Sequence, residues 1–163
     1  MYAHYSLQQI QHMILAGSLT CRQVVQYHLQ RIEQYARLNA FARVYAEEAL
    51  QQADYIDQKI RSGNAGKLAG LVAGIKDNIV YKNHPAQAAS KILQGFTSPY
   101  SATAVQRLVD EDAIIIGHQN CDEFGMGSSS EHSVYGAVHN GIDEQRSAGG
   151  SSGGRSEERR VGK

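Results

Sequence analysis

Three stretches of the chain hold residues able to do chemistry. The first is Gly70-Leu71-Val72-Ala73-Gly74-Ile75-Lys76-Asp77-Asn78, an apolar run ending in Lys-Asp-Asn. Such a run predicts burial, and burying an ammonium is costly. The amine is then either paired, with Asp77 or a more distant carboxylate, or it gives up its proton, and a neutral lysine is a general base at pH 7. Taken alone, the segment is read more simply as a lysine snorkelling from a strand end. The second stretch is Ser147-Ala148-Gly149-Gly150-Ser151-Ser152-Gly153-Gly154. Flanking glycines let a serine sit in backbone geometry that other residues avoid. Runs of this composition are also flexible linkers. A phosphate cradle is a third reading, although the pattern GxxxxGK[ST] is absent.

The third stretch runs from Asn120 to Gly136. Asp122 and Glu123 are acidic neighbours, but adjacent side chains seldom converge on one substrate, so a structural or solvated role is expected for them. His132 and His139 lack partners at metal-ligand spacing, and no metal site is expected. Gly127-Ser128-Ser129 offers backbone N–H groups and hydroxyls of the kind that line polar ligand sites.

These stretches need a scaffold. Residues 6 to 61 read as helices. Ser6 with Gln9 and Thr20 with Gln23 are capping-box patterns, and Gly17-Ser18 separates the two helices they start. Ile10, Met13 and Ile14, then Val24, Val25, Leu29 and Ile32, fall on buried faces. A third stripe, Ala46, Ala49, Leu50, Ala53, Ile56 and Ile60, ends at Ser62-Gly63-Asn64. After Gly66 the pattern changes. Leu68 to Val80 reads as a buried strand, Thr103 to Val109 as a helix, and Ala113 to Gly117 as a short apolar strand. That order argues for an α/β sheet core with the first helices packed outside it. One domain over residues 1–154 is expected, helical over 1–65 and forming sheet and catalytic loops over 66–154. Residues 155–163 are a different text, charged and without pattern. They are similar to the translation of a common sequencing adapter and are set aside as foreign to the fold.

The bulk properties exclude several classes. The chain has 163 residues, 42% apolar and 20% charged, with 16 basic and 16 acidic residues. It is neither disordered nor collagenous in composition, and it lacks the basic stripe of an autonomous nucleic-acid binder. Two cysteines, Cys21 and Cys121, without a CxxC pair, are expected to be reduced thiols. No apolar run is long enough to span a bilayer, and the first residues have neither the basic nor the apolar region of a signal peptide.

Taken together, the three stretches resemble the amidase signature family. The pattern Gly-x-x-x-[Ala/Gly]-Ile-Lys-Asp-Asn falls on Gly70 to Asn78, Asn-x-Asp-Glu-Phe-x-Met-Gly-Ser-Ser on Asn120 to Ser129, and Gly-Gly-Ser-Ser-Gly-Gly on Gly149 to Gly154. Ala89-Ser90-Lys91-Ile92-Leu93 and Pro99-Tyr100-Ser101-Ala102-Thr103 add two further matches. The Asp-Glu-Phe string favours one branch, the A subunits of the glutamyl-tRNA(Gln)/aspartyl-tRNA(Asn) amidotransferases. The resemblance implies an α/β fold in which N-terminal helices pack on the start of a mixed sheet, incomplete at the C-terminus. It also implies a proton relay of lysine, cis-peptide serine and nucleophilic serine. Carried across, Lys76 is the base, Ser151 the relay serine, the Gly150–Ser151 bond the cis one, and Ser152 a support for Lys76. Met126, Gly127 and Ser128 fall at substrate-binding positions. The implied reaction is attack on the side-chain amide of glutamine, with an acyl-enzyme and release of ammonia, and with backbone N–H groups stabilising the oxyanion. No cofactor is implied in this chain. ATP and Mg²⁺ are used by the B subunit of such enzymes, which activates the mischarged aminoacyl-tRNA, while the C subunit braces the pair. A cytoplasmic heterotrimer free of membrane is expected.

The chain also departs from the family. Family spacing puts the nucleophile past Lys163, and Ser156 lies in the charged tail, so this chain by itself is expected to be inactive. Val72, Gly141 and Ala148 stand at common proline positions, which loosens loops modestly. The strand at Ala113 to Gly117 is expected to lose sheet neighbours and expose an edge, favouring aggregation or a partly ordered chain. Two other readings stay open. One is a different amidase-signature hydrolase acting on a free amide. The other is a non-catalytic module in which Gly149 to Gly154 cradles an anion or serves as a linker.

Overall fold

The computed structural model of the protein describes residues 5–155. Its elements run α1 (Leu7–Leu15), α2 (Cys21–Gln34), β1 (Phe41–Val44), α3 (Ala46–Arg61), β2 (Val72–Lys76), α4 (Thr103–Asp110) and β3 (Ile114–Gln119), with short 3-10 turns at Ala36–Leu38 and Glu123–Gly125. Both capping boxes form. The Gln9 N–H donates to Ser6 Oγ at 3.2 Å and the Ser6 N–H to Gln9 Oε1 at 2.7 Å. Thr20 and Gln23 exchange the same bonds at 3.1 and 2.9 Å. The start of α2 gains a second acceptor from another helix, since Asp57 of α3 takes the N–H groups of Cys21 and Arg22 at 2.8 and 3.2 Å. Helix α3 has no side-chain cap. It carries Glu47 and Glu48 in its first turn and Lys59 and Arg61 in its last, the order its dipole favours.

The three strands form one mixed sheet in the order β1-β3-β2. Strand β3 runs antiparallel to β1 and parallel to β2. Every residue of β3 is buried, because both faces of the sheet are covered. Side chains alternate along a strand. Ile114 and Ile116 therefore pack with Val24, Val25, Ala49, Ala53 and Ile56 of α2 and α3, while Ile115 packs with Val105 of α4 and Ile75 of β2. Among the described residues no helix is long and apolar enough to cross a membrane, and Cys21 and Cys121 are free and buried.

Three expectations are corrected. The stretch 6 to 61 is not wholly helical, since β1 lies inside it. Phe-Ala-Arg-Val is too short to show a period of two, and it becomes a strand by pairing with β3 across the chain. The strand expected over Leu68 to Val80 shrinks to Val72–Lys76. Turns bound it on both sides, closed by the Leu71 N–H on Leu68 C=O at 2.9 Å and the Ile79 N–H on Lys76 C=O at 2.8 Å. Finally, β3 has no open edge, because it is the central strand. The outer edges belong to β1 and β2. Of residues 155–163 only Arg155 lies among the described residues, so the expectation for that tail falls almost wholly outside them.

Candidate active site

Lys76 closes β2, opposite Gln119 of β3. It is half-buried, and its Nζ lies 2.7 Å from Ser151 Oγ, a hydrogen bond spanning 75 residues of sequence. The Gly150–Ser151 peptide bond is cis. Ser151 is held by its backbone as well, its C=O accepting the Asp122 N–H at 3.1 Å.

The glycine run around it is packed in place, which overturns the linker reading. A Cβ on Gly153 would lie 2.4 Å from Ser130 Oγ, and one on Gly154 would lie 2.3 Å from Ala40 C=O and 2.5 Å from Asn120 C=O. The N–H groups of these glycines are used too, donating to Ser130 Oγ at 2.8 Å and to Asn120 C=O at 3.0 Å. A linker would leave its backbone to water. Here the small side chains let the segment approach the end of β3.

Asp77, the neighbour considered as an ion partner of Lys76, points elsewhere. Its carboxylate faces Arg43 of β1 at 3.1 Å and accepts the Ala89 N–H at 2.7 Å and the Tyr135 hydroxyl at 3.4 Å. Consecutive residues of extended chain project to opposite sides, so the motif that supplies Lys76 to one face supplies Asp77 to the other. Burial raises the Asp77 carboxyl above its usual range, against the pull of the Ala89 N–H, the Arg43 charge and the Tyr135 hydroxyl. The loop at Ala88 and Ala89 adopts left-handed φ values of 50° and 53°, costly for alanine. That geometry turns the Ala88 N–H to Asp77 C=O at 3.1 Å and the Ala89 N–H to its carboxylate. Sequence reasoning missed Arg43 and Tyr135. A basic residue in an otherwise apolar tetrapeptide was the only signal for Arg43, and Tyr135 carried none.

The adjacent acids diverge, as expected. Asp122 is fully buried and accepts the N–H groups of Ser130 and His132 at 3.0 and 3.2 Å. Glu123 accepts the Ser90 hydroxyl at 2.6 Å. The turn that follows brings Gly125 (φ 74°) beside the lysine, where a Cβ would lie 3.5 Å from Lys76 Nζ and 2.9 Å from Asn78 Nδ2. Met126, 79% exposed, and the exposed Gly127 and Ser128 continue this loop past Lys76 into solvent. Ser152 makes no hydrogen bond to Lys76 among the described residues; its C=O accepts the Arg155 N–H at 3.0 Å. Cys121 lies behind the site, its thiol pushed up to about 11 by burial, with the Lys76 charge opposing. Among the described residues no three His, Cys, Asp or Glu side chains gather as a metal site. Lys76 and Ser151 are thus within proton-transfer distance of each other, at the rim of the sheet and beside an open polar loop.

A family model described as Amidase matches residues 23–156. Among curated proteins, the chain is 45% identical over 150 residues to the A subunit of the glutamyl-tRNA(Gln) amidotransferase of Pelodictyon phaeoclathratiforme, covering 91% of this chain and 32% of that protein. It is 49% identical over 142 residues to its counterpart in Chlorobaculum parvum, covering 86% and 30%. The chain therefore spans about a third of the length of the curated relatives it matches. Among solved structures, the peptide amidase of Stenotrophomonas maltophilia superposes with a TM-score of 0.86 at 33% identity, over 94% of this chain and 33% of that one. The A subunit of the glutamyl-tRNA(Gln) amidotransferase of Thermotoga maritima gives a TM-score of 0.71 at 27% identity, over 94% and 31%. A shared sequence pattern over most of the chain and a shared α/β fold over nearly all of it lead to one conclusion: this chain belongs to the amidase family.

Proposed function

We propose that this chain supplies the base and relay of an amide-hydrolysing site, and that its substrate is the side-chain amide of glutamine. The observation that carries the reading is the 2.7 Å separation of Lys76 Nζ and Ser151 Oγ. Lys76 draws a proton through the Ser151 hydroxyl from a nucleophilic serine, which the family pattern puts beyond residue 163. The serine oxygen bonds to the amide carbon, the C–N bond breaks, and the relay returns the proton to the leaving ammonia. Water then cleaves the acyl-enzyme to glutamate. Met126, Gly127 and Ser128 border the approach to this pair and are the proposed substrate contacts. Ser152 is the proposed support of Lys76.

By the same reading, ammonia passes to a B subunit that uses ATP and Mg²⁺ on mischarged Glu-tRNA(Gln) or Asp-tRNA(Asn), with a C subunit bracing the pair in the cytoplasm. The identities of 45% and 49% to two A subunits of glutamyl-tRNA(Gln) amidotransferases favour this choice. A free-amide hydrolase is the second reading, favoured by the higher TM-score against the peptide amidase. The test is ammonia release by the natural enzyme that contains this sequence, offered glutamine or a peptide C-terminal amide. Lys76→Met and Ser151→Ala are each expected to lower kcat by about 10³-fold on the preferred amide. Wild-type rates in either variant would end the relay reading. Preference for the peptide amide would replace glutamine as substrate. Purified residues 1–163 are expected to release no ammonia.

A further inference from the structure

We infer that Asp122 is the positioning residue of the relay, holding the Gly150–Ser151 segment where Ser151 Oγ meets Lys76 Nζ. This rests on the amide-hydrolysis reading above. Asp122 lies just beyond β3, and it grips two segments at once. Its backbone N–H donates to Ser151 C=O at 3.1 Å. Its Oδ2 accepts the Ser130 N–H at 3.0 Å, and its Oδ1 accepts the His132 N–H at 3.2 Å. Nothing of the residue reaches solvent.

The surroundings are shaped to this side chain. A Cβ on Gly127 would lie 2.4 Å from Asp122 Cγ, and a Cβ on Gly150 would lie 2.3 Å from Oδ2. Two glycines from separate loops thus leave room for one carboxylate. The two loops are tied beside it by the Ser147 hydroxyl on Ser129 C=O at 2.7 Å and the Gly153 N–H on Ser130 Oγ at 2.8 Å. Asp122 makes no hydrogen bond to Lys76 among the described residues, so it acts through Ser151 and the loop. A buried acceptor set of this kind is not interchangeable with an apolar filler, because its removal leaves the Ser130 and His132 N–H groups without their partner. The loop over residues 127–132 then relaxes, and Ser151 moves with it. A displacement of about 1 Å in a reacting geometry is enough to lower a rate by about 10²-fold.

The test is steady-state ammonia release by the natural enzyme containing this sequence, with melting temperatures measured beside it. Asp122→Asn keeps one acceptor oxygen and the volume; it is expected to keep KM within about two-fold while kcat falls by about 10²-fold. Asp122→Ala is expected to lose both kcat and thermal stability. Asp122→Leu fills the carboxylate's space with an apolar group of similar shape, and is expected to keep more of the melting temperature than Asp122→Ala without recovering kcat. Wild-type kcat in Asp122→Asn overturns the inference. So does wild-type kcat in Asp122→Leu, which would make Asp122 a space filler. Failure of all three variants to fold overturns it as well, since the residue would then serve folding alone. Lys76→Met separates the two levels. If that variant keeps its activity, the relay reading falls and the inference with it; if it is inactive while Asp122→Asn is unaffected, only the inference falls.

Discussion

Acidification should weaken this fold through one histidine. His118 is the fifth residue of β3, opposite Arg43 of β1 and Ile75 of β2, and it is fully buried. Its Nε2 lies 3.0 Å from Ile79 C=O, which can only accept, so Nε2 carries the proton. The Tyr45 hydroxyl then donates to Nδ1. Burial lowers the imidazole from 6.5 to about 4, with the Ile79 carbonyl opposing and the Arg43 and His84 charges adding to the fall. Below about pH 6.5 the unfolded chain takes up a proton that the folded chain refuses until about pH 4. The unfolded state thus binds more protons across that window, and stability drops as pH falls. At about 1.4 kcal/mol per pH unit, the loss approaches about 3 kcal/mol by pH 4. That is a large part of the 5–15 kcal/mol typical of a domain. His28, lowered by burial, acts in the same direction. Asp77, raised by burial, acts against it at the acid end. The assay is urea unfolding followed by circular dichroism at a series of pH values from 7.5 to 4.5, on wild type and His118→Gln. Wild type should lose stability steadily below pH 6.5, and the variant, with no proton to bind there, should show a much flatter profile. Parallel profiles for the two proteins, or a wild type that gains stability on acidification, would refute the reasoning.

Three further outcomes can be checked by urea or thermal unfolding. Within the glycine run, Gly149→Ala should cost about 1 kcal/mol, for a left-handed φ of 79° in open space. Gly154→Ala should cost about 3 kcal/mol or more, because its Cβ meets backbone atoms that cannot step aside; equal costs would count against the packed reading of this run. Asp77→Ala leaves the Arg43 guanidinium, 23% exposed, without its anion and should cost about 3 kcal/mol, so a neutral result would remove Asp77 from the support of the site. Thr20→Ala removes a side-chain cap and should cost about 1 kcal/mol. No loss there would mean that Asp57, which takes the next two N–H groups, caps the helix unaided.

What the residues announced in advance follows a physical division. Helices α1 and α2 were legible to the residue at their starts, because a capping box is closed within four residues. Helix α3 was legible from its apolar stripe and the Ser-Gly-Asn that ends it. Strand β3 was legible as far as Gly117 from its isoleucines, since a strand covered on both faces reads as an apolar run, whereas the buried polar residues His118 and Gln119 that complete it were not. Strand β1 was not, because four residues carry no period and only the partner strand makes them extended. The site divides in the same way. Lys76 stood out as a basic residue in an apolar segment, and Ser151 as a serine among glycines. Arg43, Tyr135 and the grip of Asp122 did not stand out, because their partners lie 34, 58 and as few as 8 residues away, in segments without periodicity.

The sequence alone determined which chemical groups are present, where the capped helices start, and that the isoleucines of β3 form a buried strand, since each of these depends on neighbours within a few residues or on an apolar run; that β3 is the central strand was decided by its pairing with β1 and β2. Tertiary structure alone decided that Lys76 turns to Ser151 while Asp77 turns to Arg43. It also decided that the glycine run is a packed wall instead of a linker. A hydrogen bond across 75 residues is set by the sheet that ends at Lys76 and the loop that returns to it, and no local propensity encodes such a distance.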